Sequence, residues 1–169
     1  YKRQIINDIT ALTGDPNSLS LAAQYKVPVV LMHMKGTPQT MQQKPHYKDV
    51  CNEVINFFKD RIKLLLENGV SAEQIVIDPG IGFGKSLDHN IELMSELNKF
   101  TVFERPVLIG ASRKSFIEKL LGTPIKDRLP ASLACANWAT IQGSSIIRAH
   151  DVAETVQAVR MTEALTKKH

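Results

Sequence analysis

The chain has 169 residues with 43% hydrophobic and 22% charged content and a formal net charge of +4, the ordinary make-up of a soluble globular protein long enough for one domain with a real core. Its basic residues are scattered, without a block or interleaved aromatics, which speaks against nucleic acid and leaves small anionic ligands as the class a mild positive excess favours. No apolar run approaches a membrane span and no signal peptide is visible, so no membrane is expected and the expected compartment is the cytoplasm, with Cys51 and Cys135 as reduced thiols lacking metal-ligand spacing.

The start, Tyr1 to Ile6, runs straight into a strand pattern, as a fragment beginning inside an element would. Gln4 to Ile9 is the first predicted strand, with Asn7 on the face of Ile5 and Asp8 on that of Ile6. Asp15-Pro16 reads as an N-cap followed by proline at the first helical position, opening a helix to Tyr25. Pro28 to Met32 is a buried strand that runs into His33 and Met34, and Lys35 to Pro45 is a polar loop. Tyr47 to Asn68 carries Val50, Val54, Phe57, Phe58, Ile62, Leu65 and Leu66 at helical spacing and closes on Gly69. Ile75 to Ile77 is a third buried strand, ended by Asp78-Pro79. Helix follows from Ser86 to Lys99, then strand from Pro106 to Ile109. Ser115 and Glu118 have the form of a capping box opening a helix to Leu121. An alanine-rich helix spans Asp127 to Gln142, Ser145 to Ala149 is the fifth strand, and Asp151 with Glu154 caps a last helix to about Thr166.

Strand and helix alternate five times, and the strands are apolar on both faces. That pattern calls for a parallel sheet with helical crossovers in one domain. Each polar oddity falls just after a strand, where parallel α/β folds place their ligands. The most informative is Asp78-Pro79-Gly80-Ile81-Gly82-Phe83-Gly84-Lys85. A strand-end carboxylate can accept two parallel N–H bonds from the edge of a flat heterocycle, and the glycines let backbone come close to a ligand. The loop fits neither the dinucleotide fingerprint nor the P-loop, whose glycine spacings differ. Arg148 and His150 are two apart at a strand end with a helix opening behind them, which makes an anion site; a surface pair between Arg148 and Asp151 is the alternative. Taken alone, Asn7 reads more readily as a turn cap and Met32 and Met34 as core, His33 reads also as a satisfied buried histidine, and Lys114 equally as a solvated lysine. No nucleophile–base dyad and no catalytic carboxylate pair stands out, so no covalent catalytic residue is assigned.

Taken together, Ile6-Asn7-Asp8-Ile9, Leu31-Met32-His33-Met34, Asp78 to Lys85, Ser112-Arg113-Lys114-Ser115 and Ile147 to Val152 resemble the dihydropteroate synthase family, in order and spacing and from end to end of the chain. The resemblance implies an α/β fold, a (β/α)8 TIM barrel of the pterin-binding type. It implies condensation of 4-aminobenzoate with 6-hydroxymethyl-7,8-dihydropterin pyrophosphate, giving dihydropteroate and pyrophosphate in folate synthesis. It further implies that Asn7, Met32, Asp78 and Lys114 bind the pterin, that Arg148 and His150 hold the pyrophosphate, and that Phe83, Ser112 and Arg113 line the aminobenzoate side. Mg2+ on the pyrophosphate is the implied cofactor, with no metal ligand in this chain, and a homodimer through the C-terminal helices is the implied assembly.

A full barrel takes about 250 residues, and the chain looks like that family from its fourth strand onward. About five βα units are therefore expected, with the first three missing and the isolated chain inactive. Two competing readings are a pterin-dependent methyltransferase domain and a non-catalytic pterin-binding module. Methyl transfer has no pyrophosphate leaving group, so the Arg148–His150 pair argues against the first.

Overall fold

The computed structural model describes residues 5–41 and 43–166. The start at Tyr1 and Gln4 of the first predicted strand lie outside the described residues. Five strand–helix units follow in order: β1 (Ile6–Asp8), α1 (Ser18–Tyr25), β2 (Val29–Met32), α2 (Val50–Glu67), β3 (Ile75–Asp78), α3 (Leu87–Ser95), β4 (Leu108–Ile109), α4 (Ser115–Leu121), α5 (Leu129–Ile141), β5 (Ile146–Ile147) and α6 (Val152–Thr166), with α4 and α5 sharing the fourth crossover. Every pairing is parallel. Ile6 lies opposite Val29, Val29 opposite Ile75, and Leu108 opposite Ile146. A bridge between Ile77 and Val107 joins the first three strands to the last two. This is the spatial order of consecutive staves in a (β/α)8 barrel, five of them among the described residues.

The two faces of the sheet are both apolar, for different reasons. Val29, Leu31, Ile75, Ile77, Val107 and Ile109 point at the helices and join one core with Phe58, Leu93, Phe100 and Ala139. Val30, Val76 and Leu108, with Ile146 against them, form a separate small cluster on the opposite face, the inside of the barrel curve. Residues two further along share that inner face. They are Met32, Asp78, Gly110 and Arg148, so a layer of hydrocarbon is capped by a layer of polar groups at the carboxyl ends of the strands. Asn7 pairs with Val30 and belongs to the lower layer. Ile5 and Ile6 are exposed along the free edge of β1, as expected for a curve closed on neither side.

Two helix starts differ from the sequence reading, those of α1 and α4, while α6 starts at Val152 as expected. Asp15 accepts from the Asn17 N–H at 2.7 Å, and α1 begins only at Ser18, with Asn17 as its N-cap. Ser115 is the first helical residue of α4 and Lys114 the N-cap; Glu118 is drawn off by Arg128. Asp151 precedes α6, but its carboxylate pairs with Arg113. The predicted long helices also end early or start late: Leu97–Phe103 is a 3-10 segment after α3, and Ile125–Asp127 another before α5. Helices α5 and α6 pack on each other and leave Trp138, Ile141, Val152, Val156, Met161 and Leu165 exposed, the surplus apolar surface expected there.

Phe58 is the aromatic hub between α2 and the segment after α3, with ring centroids 5.3 Å from Phe57, 6.3 Å from Phe100 and 5.9 Å from Phe103. It is fully buried. Phe58→Ala is expected to cost about 3–5 kcal/mol, the range for an aromatic cavity in a packed core. Urea unfolding is expected to show a lower midpoint with an unchanged slope.

Candidate functional site

Asp78 ends β3 with 2% of its surface exposed. Pro79 follows and cannot extend the ladder, so the chain turns, and the Gly80 N–H donates to Asp78 Oδ1 at 2.8 Å. Burial pushes the Asp78 carboxyl up; the Gly80 N–H and the positive charges of Lys114, Arg148 and Lys85 pull it back. Gly80 has φ of +72°, and a Cβ there would lie 1.9 Å from the carbonyl oxygen of His33. The sequence reading assigns this glycine to close approach of a ligand. In the structure the close neighbour is the end of β2.

The rest of the loop is fixed by side chains from several elements. Asn90 on α3 accepts from the Gly82 N–H at 2.6 Å and donates to the Ser86 carbonyl at 2.6 Å. The Tyr47 hydroxyl donates to the Gly84 carbonyl at 2.8 Å. Lys85 turns back beneath the loop, and its Nζ lies 3.0 Å from His33 Nδ1, 3.0 Å from the Phe83 carbonyl and 3.3 Å from the His33 carbonyl. Burial lowers the Lys85 pKa to about 7, Asp78 opposing. Burial, with Lys85 and Lys35 adding to it, holds His33 down to about 3.

Facing this loop is the segment after β4. The Lys114 Nζ donates to the Ile81 carbonyl and sits 4.5 Å from the centroid of the Phe83 ring. Burial brings Lys114 down to about 8, with Asp78 resisting and Arg148 adding to the fall. Ser112 is buried and joins this segment to the end of β5. Its Oγ accepts from the His150 N–H at 3.2 Å and lies 3.0 Å from His150 Nδ1. Arg113, at φ +55°, donates through Nε to Asp151 at 2.9 Å, and a second guanidinium nitrogen reaches the other carboxylate oxygen. The pairing of Asp151 with Arg113 replaces the alternative pairing with Arg148.

Arg148 leaves the end of β5 and lies across Gly110, where a Cβ would come within 2.8 Å of its guanidinium. Gly110, Ser112, Lys114, Arg148, Ala149 and His150 line one cavity of about 230 Å³. A lysine, an arginine and an imidazole thus meet one small concavity beside a buried carboxylate, an arrangement fit to bind a polyanion. Among the described residues no three His, Cys, Asp or Glu side chains gather as a metal site, and the lining of this cavity has no carboxylate to offer one.

Of the residues singled out in the sequence, the structure brings Asp78, Phe83, Lys114, Ser112, Arg148 and His150 to one rim. Met32 lies level with Asp78 but is 1% exposed. Asn7 is exposed on the edge strand, two residues lower. Arg113 does not line the cavity: its guanidinium is engaged by Asp151, its N–H donates to Ser132 Oγ at 2.9 Å and its carbonyl accepts from Arg128 at 2.8 Å. Sequence reasoning missed Lys85, taken only as the end of a false phosphate-loop match, and Arg128. The Arg128 guanidinium donates to the carbonyls of Thr123 at 3.0 Å and Arg113 at 2.8 Å. The place of Lys85 directly after a glycine loop is the one local signal that sets it apart from the other lysines.

A parallel βα curve with a buried carboxylate and a cationic cavity at its carboxyl rim is the ligand-binding end of an α/β barrel. The profile of the family described as pterin binding enzyme matches residues 1–150, and the chain belongs to that family. Within it, the chain resembles dihydropteroate synthases. It is 49% identical over 160 residues to the enzyme of Escherichia coli (strain K12), covering 95% of this chain and 56% of that protein. It is 42% identical over 160 residues to the Haemophilus influenzae enzyme, covering 95% and 58%. The fold superposes on Yersinia pestis dihydropteroate synthase in a sulfonamide drug complex with a TM-score of 0.92 and 43% identity, over 96% of this chain and 59% of that one. The chain spans a little over half the length of these relatives, close to the share of five staves in eight.

The buried His33 has a consequence for acid stability. The unfolded chain protonates this imidazole near 6.5, whereas the folded chain holds it neutral down to about 3. Between those values the unfolded state binds more protons, so stability falls as pH drops through the window. Urea denaturation at pH 7, 5 and 4 is expected to show that decline, and His33→Gln a shallower one.

Proposed function

We propose that this chain is the pyrophosphate-binding portion of a dihydropteroate synthase, of which it supplies about the last five βα units. The reaction joins 4-aminobenzoate to 6-hydroxymethyl-7,8-dihydropterin pyrophosphate and gives 7,8-dihydropteroate and pyrophosphate in folate biosynthesis. The observation that carries this reading is the convergence of Lys114, Arg148 and His150 on one cavity next to Asp78. A methyl-transferring relative has no leaving anion to occupy such a cavity.

In this reading Asp78 accepts hydrogen bonds from the pterin edge, and Lys114, poised between Asp78 and Arg148, spans the pterin and its leaving group. Met32 and Asn7 complete the pterin side. Arg148 and His150 hold the pyrophosphate. Phe83, Ser112 and Arg113 border the aminobenzoate side. The carbon–oxygen bond to pyrophosphate breaks with its electron pair leaving on oxygen; the amine lone pair forms the new carbon–nitrogen bond, and the amine then releases a proton. The protein's part is orientation and stabilisation of the leaving charge, with no covalent residue. These cationic side chains do not suit a resident metal, so magnesium enters as part of the pyrophosphate substrate. A cytoplasmic homodimer of the complete enzyme, formed through the apolar surface of α5 and α6, belongs to the same proposal.

The test is calorimetric titration of magnesium pyrophosphate into the chain and into Arg148→Ala. The substitution is expected to weaken binding by roughly 1.5–3 kcal/mol, the range for hydrogen bonds to charged groups. Equal affinities would overturn the site.

A further inference from the structure

Lys85 is 2% exposed, and the proposed reaction makes no use of it. A charged or polar nitrogen that deep must find partners, because an unpaired one costs several kcal/mol. Its partners are three and come from two different segments: the Phe83 carbonyl in the loop after β3, and the carbonyl and Nδ1 of His33 at the end of β2. The count closes in either protonation state. An ammonium donates three bonds, with the His33 proton on Nε2. A neutral amine donates to the two carbonyls and accepts from Nδ1–H. In both, the two carbonyls stay bound to one nitrogen.

The surroundings leave that nitrogen little freedom. A Cβ on Gly80 would lie 3.3 Å from Nζ, so the Asp78–Gly80 turn passes directly over it. The His33 ring is wedged edge-on against Phe57 of α2, 5.0 Å between centroids. The charged groups that act on Lys85 are Asp78 and Lys114, and on His33 they are Lys85 and Lys35.

We infer that Lys85 is a positioning residue of the site: by clamping the Phe83 carbonyl to the His33 carbonyl it sets the height of the 79–84 loop over β2. Asp78 and the Phe83 ring, against which Lys114 lies, are thereby held at a fixed separation. The clamp stands on geometry alone; what the loop binds rests on the function proposed above.

Lys85→Met tests it, because the side chain keeps its length and apolar stem and loses every N–H. Amide hydrogen exchange at pH 7 is expected to quicken at least tenfold at Gly80 and Phe83, whose N–H groups bond Asp78 and Gly80 within the loop, while Leu31 and Ile77 in the strands keep their rates. Affinity for 6-hydroxymethylpterin is expected to fall at least tenfold and that for pyrophosphate to change less than twofold. Unchanged exchange in the loop, or uniformly faster exchange everywhere, would overturn the clamp. Failure of the unaltered chain to bind either ligand would count against the proposed function and leave the exchange result to decide Lys85. Should the variant not fold, nitrogen-15 spectra of the unaltered chain decide: His33 Nδ1 is expected to change from acceptor to donor shift as Lys85 loses its proton, and a shift indifferent to that titration overturns the proposal.

Discussion

The last rung of the ladder between β2 and β3 holds the rest in place. The His33 N–H donates to the Asp78 carbonyl at 3.0 Å, and Met32 lies opposite Asp78. That register sends Ile77 to the helices and Asp78 to the inside, and it brings the end of β2 under the glycine loop. A slip of one residue would reverse both faces. Val76 would then leave the inner layer it forms with Val30 and Leu108, and the Asp78 carboxylate would be buried among the helices.

Around Asp78 the electrostatics are lopsided by construction. One buried carboxylate is influenced by Lys85, Lys114 and Arg148, and His150 lies further along the same rim. Burial disfavours each charge singly; their arrangement lets positive groups share one negative group and leaves a surplus facing the cavity. The surplus is what a bound polyanion would neutralise. Nearby acidic groups are engaged in other pairs, Asp151 with Arg113 and Glu118 with Arg128. The departures from the expected helix caps thus follow from the same economy of charge: these carboxylates tie the segment after β4 together instead of capping helices.

Local pattern carried the fold class. Apolar runs of strand length, helical spacing in the segments between them, and polar residues placed just past each strand led to a parallel βα curve, because those periodicities reflect backbone geometry that a single segment already obeys. The same logic placed Asp78, Lys114, Arg148 and His150 on one rim. What remained to tertiary structure was the use of each polar group once others came near. Asp15, Glu118 and Asp151 have cap-like spacing, yet a capping bond is worth about 1 kcal/mol, and a partly buried arginine or a competing turn can claim the carboxylate. The role of Gly80 was decided by His33, 47 positions earlier in the chain, and that of Lys85 by acceptors that exist only when β2 and the loop after β3 lie side by side. The sequence by itself determined which faces are apolar and where the chain turns, since those follow from neighbours along the chain. Only the packed structure decided which charges meet, since that depends on distances between segments that no local spacing encodes.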